Sequence, residues 1–277
     1  MRLGAALPRP VSIESRIGFP CANQHVLLPR IKDPNKAKNE GPVVLVTNAI
    51  SMLRVYMARV SPQVVIVSSI SVIIQFALAI LAWGDWSTFF AHPARFWVVI
   101  GSFLLLIVAW FSGTSGLSAG EQHSSGSKNI LYGFFSVILA LVLVPPFCDR
   151  RNVWTIDGDT VRYFGLILFF AGSILRLAAA FALGHRFSGL VAIQPDHQLK
   201  TNGLYRYIRH PSYTGLLVAM IGWVLVFRSA IGLLLNIPLF LLLLSRMNDE
   251  EKFLETHFGG HYRAYREKTR RLIPFVY

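Results

Sequence analysis

Arg246 and Glu250 stand four residues apart in the stretch "SRMNDEEKF" and therefore share one face of a predicted helix, whereas Glu251 points elsewhere. Alone, such a pair is typical of an exposed helix-end ion pair worth about 0.3–0.5 kcal/mol. Its position favours a functional role over a surface ion pair, because the pair ends an apolar segment whose predicted hairpin partner begins at His210-Pro211. We therefore expect these charges to face the same region as the histidine.

The stretch "LYRYIRHPSYTG" places Pro211 where a first helical turn accepts proline, so His210 should sit at a helix start. Free N–H groups and the positive end of the helix dipole there predict a seat for a carboxylate. Tyr205, Tyr207 and Tyr213 supply aromatic faces that can hold a cation such as a sulfonium. Interfacial anchoring by Tyr and Arg is the alternative for any one of these residues.

Arg176 is the third chemically suited residue, flanked by "FFAGSIL" and "LAAAFALG". A cation there is costly unless it faces a bundle interior or a polar cavity. A functional role or a buried pair is one interpretation, and snorkelling of the side chain to the membrane surface is the other.

The composition indicates a membrane protein: 53% of residues are hydrophobic and 15% are charged, against about 25% charged in soluble domains. The net charge of +13 could suggest nucleic acid, but the basic residues lie between apolar runs and no nucleic-acid-binding motif is present. We expect no nucleic-acid partner. Cys21 and Cys148 are too few and too far apart for a disulfide framework or a metal cluster, so no metal site is expected.

The apolar pattern predicts an all-α, polytopic fold with about six transmembrane helices, the last two forming a tight helical hairpin. The expected spans are residues 62–83, 95–113, 129–147, 160–184, 212–228 and 230–246. Small residues should let these helices approach closely: Gly165, Gly172, Gly222, Gly232 and the run Ala178–Ala180.

Three regions are predicted along the chain. Residues 1–42 form a disordered basic tail, residues 43–157 an interfacial helix (43–60) and three spans, and residues 158–277 a catalytic membrane domain. With the amino terminus inside, inner segments hold 21 Lys and Arg residues and outer segments five. The positive-inside rule then places both termini in the cytoplasm.

The series "DHQLKTNGLYRYIRHPSYTG", a helical hairpin and "RMNDEEKFLETHFGGHYRAYREKTRRLIPF" resembles the isoprenylcysteine carboxyl methyltransferase family over residues 160–277. These are integral membrane enzymes that use S-adenosylmethionine. The resemblance implies a cofactor pocket lined by His197, Leu199, Lys200, Tyr205, His210, Ser212, Tyr213 and Glu250, with Gln194 as a further contact and Pro211 shaping the turn. It implies that Arg246 addresses the methyl-accepting carboxylate, and we assign Arg176 with it to catalysis.

The reaction implied is O-methylation of a carboxylate on a lipid-like, isoprenylcysteine-type acceptor in the membrane. A carboxylate is already deprotonated at neutral pH, so neither a metal nor a strong base is needed. The compact build also resembles prokaryotic members, which suggests the bacterial inner membrane. The alternatives are a phospholipid N-methyltransferase, a sterol-type NADPH reductase, and a non-enzymatic scaffold or transporter.

Overall fold

The computed structural model describes residues 62–112, 122–123, 128–184, 192–193 and 199–273. The predicted tail at 1–42 and interfacial helix at 43–60 lie outside these residues, so both stay predictions. All described residues belong to one compact unit, Ser51–Tyr277.

The described chain is helical, with eight α-helices in chain order. They are α1 Pro62–Trp83, α2 Trp86–Phe89, α3 Pro93–Trp110, α4 Lys128–Arg151, α5 Asp159–Leu183, α6 Pro211–Val226, α7 Ala230–Phe258 and α8 Gly260–Lys268. A 3₁₀ turn spans Gly203–Arg206, and two-residue strands β1 (Gln122–His123) and β2 (Ala192–Ile193) pair antiparallel.

Five of the described helices, α1, α3, α4, α5 and α7, are long and apolar enough to cross a membrane. The fifth predicted span, residues 212–228, corresponds to α6, which is apolar but has 16 residues. Only residues 227–229 separate α6 from α7, as a tight hairpin requires. Helix α7 does not end with its apolar part near Arg246 but continues to Phe258, and Gly259, at a φ of 54°, ends it.

Helices α5 and α6 run antiparallel with their backbones in contact. Glycines line the seam: Gly165 and Gly172 on α5, and Gly215 and Gly222 on α6. A Cβ placed on Gly165 would lie 2.6 Å from the Val226 nitrogen, and one on Gly215 would lie 2.6 Å from the Arg176 nitrogen. The expected close approach of small residues is confirmed for this pair, although Gly215 was not among those named.

Helix α4 contains Pro145 and Pro146, which cannot donate to carbonyls one turn earlier. The indole N–H of Trp223, on α6, donates at 2.8 Å to the Leu141 carbonyl, the oxygen that Pro145 leaves without its usual donor. Trp223 is 1% exposed. The proline is therefore tolerated because α6 supplies the missing hydrogen bond.

At one end of the bundle, Asp149 is fully buried among three arginines, a group that we call the Asp149 cluster (Arg95, Asp149, Arg162 and Arg228). Arg162 contacts both carboxylate oxygens, at 2.6 and 2.9 Å. Arg228 approaches Oδ1 at 3.0 Å and Arg95 approaches Oδ2 at 3.5 Å. The cluster joins α3, α4, α5 and the α6–α7 link, and it contains three of the five arginines predicted on the outer side.

Candidate active site

The segment before α6 places His210 at the opposite end of α6 from the Asp149 cluster, about 24 Å away along a 16-residue helix. His210 is 6% exposed and precedes Pro211, the first residue of the helix. The predicted helix start is confirmed.

The expected anion seat at this helix start is largely wrong. Pro211 has no N–H, and the N–H groups of Tyr213 and Thr214 both donate to the His210 carbonyl, at 3.0 and 3.1 Å. The His210 N–H donates to the Arg271 carbonyl at 3.1 Å. Among the described residues, Ser212 is thus the one first-turn residue whose amide is left for a ligand. The reason is local: a proline and a tight first turn use up the amides that the expectation counted as free.

Tyr213 links the two residues that the sequence placed on one face of α7. Its hydroxyl donates to Glu250 Oε2 at 2.9 Å and accepts from Arg246 Nε at 2.8 Å. The Glu250 side chain is 31% exposed, so it remains within reach of a soluble molecule. The Tyr213 hydroxyl therefore lies between the Arg246 guanidinium and the Glu250 carboxylate and orients both.

His210 lies between two carboxylates. Its Nε2 is 3.1 Å from Glu251 Oε1, and its Nδ1 is 3.9 Å from Glu250 Oε2. The ring stacks on Tyr213, with centroids 5.4 Å apart and planes inclined by 18°. We call these residues the His210 cluster: His210, Tyr213, Arg246, Glu250 and Glu251.

Glu251 was missed, since the helix-face argument set it aside. It is 3% exposed, and besides His210 it accepts from Arg209 Nε at 3.0 Å and from Arg271 Nη2 at 2.9 Å. It does point away from Arg246, but that direction leads to the His210 ring. The adjacent Glu-Glu pair was the one available signal, because consecutive helix positions can contact opposite sides of one ring.

A C-terminal strap, residues 269–272, runs parallel to residues 207–210. The Arg209 N–H donates to the Arg270 carbonyl at 2.7 Å, and the Arg270 N–H donates to the Tyr207 carbonyl at 3.1 Å. The Thr214 hydroxyl donates to the Leu272 carbonyl at 2.9 Å. The strap thus forms one wall of the site, which the sequence did not predict.

Arg176 reaches the first turn of α6 from α5. Its Nη1 lies 3.2 Å from the Ser212 hydroxyl oxygen and 3.3 Å from the Ser212 carbonyl oxygen. The side chain therefore points into the bundle end that holds the His210 cluster, and its role in catalysis stays a prediction. Two arginines, Arg176 and Arg246, contact consecutive residues of α6 from two different helices.

Tyr205 is 7% exposed, and its hydroxyl donates to the Ala179 carbonyl at 3.4 Å. Burial raises the pKa of Tyr205 above its ordinary value, with a further contribution from the Glu250 carboxylate. The Tyr265 hydroxyl donates to the Tyr205 carbonyl at 2.7 Å, and burial raises the pKa of Tyr265 to about 12. Tyr205 is therefore fixed beside the site.

The remaining predicted cofactor residues are less defined. Leu199 and Lys200 are half-buried and precede the 3₁₀ turn. Gln194 and His197 lie outside the described residues. For all four, a role in cofactor binding stays a prediction.

Comparison with known sequences points to one family. The sequence profile of the isoprenylcysteine carboxyl methyltransferase (ICMT) family matches residues 165–256. Those residues include α6 and the Arg246–Glu251 segment, and they end before the strap.

Individual relatives align with a longer stretch of this chain than the family profile does. Protein-S-isoprenylcysteine O-methyltransferase A of Arabidopsis thaliana is 35% identical over 150 residues, 53% of this chain and 72% of that protein. A probable protein-S-isoprenylcysteine O-methyltransferase of Oryza sativa subsp. indica is 30% identical over 174 residues, 62% of this chain and 88% of that protein. The Saccharomyces cerevisiae protein-S-isoprenylcysteine O-methyltransferase is 34% identical over 157 residues, 55% of this chain and 66% of that protein.

Proposed function

The chain belongs to the isoprenylcysteine carboxyl methyltransferase family, and we propose that its His210 cluster binds S-adenosylmethionine and methylates a carboxylate on a lipid-like acceptor. As a member of this family it is an integral membrane methyltransferase. The acceptor chemistry we propose is that of an isoprenylcysteine, the group that appears in the names of its relatives.

The residues of the His210 cluster suit this cofactor. Nδ1 of His210 and Oε2 of Glu250 lie 3.9 Å apart, and if Nδ1 carries no hydrogen, one ammonium group with three N–H donors can serve both atoms from a single position. One face of Tyr213 is covered by the His210 ring, so its other face and the face of Tyr205 are the proposed contacts of the sulfonium. When bound, S-adenosylmethionine supplies a methyl group already activated for transfer. The proposed pocket also includes Pro211, Ser212, Leu199, Lys200, Gln194 and His197.

Arg246 and Arg176 are the proposed contacts of the acceptor. A guanidinium binds a carboxylate through two parallel N–H donors, and both side chains converge on the first turn of α6. The acceptor is an anion at neutral pH, so the protein has to align it and exclude water rather than remove a proton. The apolar helices around this end offer a lipid tail a path from the bilayer.

The observation that carries the proposal is the chain of contacts Arg246–Tyr213–Glu250, at 2.8 and 2.9 Å. It supports the proposal because the guanidinium proposed to bind the acceptor and the carboxylate proposed to bind the cofactor lie on opposite sides of one hydroxyl. Donor and acceptor would then meet at the membrane surface, where a soluble cofactor and a lipid both have access.

The test is incubation of purified protein with radiolabelled S-adenosylmethionine and lipid extracts, followed by mass spectrometry of the labelled product. We expect a base-labile methyl ester. Label on a phospholipid amine would instead support N-methylation, and consumption of NADPH without methyl transfer would support a reductase. If no lipid or peptide is labelled and no cofactor is bound, the result would support a non-enzymatic scaffold.

We also propose that both termini lie in the cytoplasm, which places the His210 cluster on the cytoplasmic side. The support is the excess of Lys and Arg in the predicted inner segments. The relatives named above are eukaryotic, so the bacterial inner membrane stays a prediction.

A further inference from the structure

The two ring nitrogens of His210 face different surroundings. Nε2 contacts Glu251, and Nδ1 faces Glu250. Stacking on Tyr213 fixes the plane of the ring. In a neutral imidazole, the hydrogen bond made by one nitrogen determines whether the other is a donor or an acceptor.

Glu251 can act only as an acceptor here. Each of its oxygens receives a donor from an arginine: Oε1 from Arg209 at 3.0 Å and Oε2 from Arg271 at 2.9 Å. Two cations beside a buried carboxylate favour its ionised form. An ionised carboxylate has no proton to donate, so Nε2 of His210 must carry the hydrogen in their 3.1 Å contact.

We infer that Glu251, held by Arg271 of the strap, is a positioning residue that fixes a neutral His210 as the Nε2–H tautomer and so presents Nδ1 to the cofactor as an acceptor. This inference rests on the proposed function. With Nδ1 and Glu250 Oε2 as paired acceptors, the favoured ligand group is the ammonium of an α-amino acid moiety. In the other tautomer Nδ1–H would oppose that ammonium.

The assignment extends the site beyond the region that the family profile matches, because Arg271 lies past residue 256. The charged and titratable groups that face His210 come from two elements besides its own segment: Tyr213 on α6, and Glu250 and Glu251 on α7. Arg271, on the strap, contacts Glu251. Arg209 directly precedes His210 and contacts the same carboxylate.

The direct readout is the ¹⁵N spectrum of histidine-labelled protein in detergent, with the His210 signals identified by their loss in His210→Ala. We expect the Nε2–H tautomer in the wild type. In Glu251→Gln the side-chain amide can donate to Nε2, so the tautomer should change or become mixed. By calorimetry, the Kd for S-adenosylmethionine should rise about tenfold, the lower end of the loss that follows removal of a partner that orients a metal-binding histidine.

Glu255→Gln is the matched control. Glu255 lies one turn further along α7, and its ion pairs with Arg263 and Arg266, at 3.3 and 2.8 Å, are on the surface. This substitution removes the same charge from the same helix, so the tautomer of His210 and the Kd should both stay at wild-type values.

Arg271→Gln tests the same link without emptying the buried site, because the Arg271 side chain is 25% exposed. We expect a Kd increase smaller than that of Glu251→Gln, with affinity largely restored by Arg271→Lys. An Nδ1–H tautomer in the wild type would overturn the inference. So would Glu251→Gln and Arg271→Gln proteins that melt at lower temperature but bind the cofactor with unchanged Kd. Failure of the wild type to bind S-adenosylmethionine at all would instead remove the proposed function.

Discussion

The two ends of the helix bundle each bury a carboxylate among arginines, but they differ in what they leave accessible. In the Asp149 cluster, the carboxylate receives three arginines, and further N–H groups donate to backbone carbonyls: Arg95 Nε to Phe89 at 2.6 Å and Arg162 Nη1 to Val226 at 2.9 Å. In the His210 cluster, Glu251 is enclosed in the same way, yet the neighbouring Glu250 stays 31% exposed. The first end fastens four segments together. At the second end, the buried Glu251 and its arginines support the accessible Glu250.

Burial, more than the number of charges, separates the two roles. Removing one partner from a buried charge group leaves the others without compensation, so the Asp149 cluster should matter for stability and not for chemistry. Removing an accessible group from the His210 cluster should change binding or transfer with little effect on folding. The glycine seam between α5 and α6 connects the two ends.

The largest expected effect is on stability, from Asp149→Ala. It leaves three arginines without their shared carboxylate and should lower the free energy of unfolding by about 3–5 kcal/mol. Thermal unfolding in detergent measures this. A melting temperature equal to that of the wild type would show that the cluster does not fasten the helices.

Arg246→Ala tests whether the His210 cluster, unlike the Asp149 cluster, serves the reaction rather than stability. If Arg246 holds the acceptor, methyl transfer should fall about 10²-fold, as on loss of one preorganised electrostatic contact, while the Kd for S-adenosylmethionine stays near the wild-type value. Steady-state kinetics and calorimetry on the same preparation separate the two quantities. Equal losses in both would assign Arg246 to the cofactor pocket instead.

Gly215→Ala tests the seam. The new Cβ would meet the Arg176 backbone nitrogen at 2.6 Å and the Gly172 carbonyl at 2.6 Å, so α5 and α6 must separate, at a cost of about 1–3 kcal/mol. Because Arg176 moves with α5, methyl transfer should also fall. Gly260→Ala is a control, since a Cβ there meets no atom within 4 Å. A seam variant as stable and active as this control would contradict the packing account.

Tyr265→Phe should give the smallest effect. It removes the 2.7 Å hydrogen bond to the Tyr205 carbonyl and should cost about 1 kcal/mol of stability. Tyr205 loses one support while its own contact with Ala179 remains, so cofactor affinity should change less than in Glu251→Gln. A larger loss of affinity than of stability would make the Tyr205–Tyr265 pair part of the binding surface.

The membrane-spanning helices and their order could be predicted because the length and hydrophobicity of a segment are properties of consecutive residues. The hairpin at residues 227–229 and three of the four glycines of the α5–α6 seam followed from the same local signals, whereas Gly215 did not. The pairing of Arg246 with Glu250 on one face also followed from helical periodicity, although the phenol of Tyr213 between them did not.

What escaped prediction depends on partners far apart in sequence. Glu251 meets Arg209 and Arg271 across 42 and 20 residues, and Asp149 meets Arg228 across 79 residues. No periodic pattern reports such pairs. The helix start at His210 was located correctly, but its hydrogen bonds were not, because the strap that accepts the His210 N–H arrives from the end of the chain.

The most direct test of the account is calorimetric titration of S-adenosylmethionine into wild type, Glu250→Ala and Asp149→Asn proteins, each verified as folded. The account predicts binding by the wild type, at least tenfold weaker binding by Glu250→Ala as expected for a lost charged contact, and an unchanged Kd for Asp149→Asn. Equal weakening by both substitutions, or uptake of NADPH without uptake of S-adenosylmethionine, would contradict it.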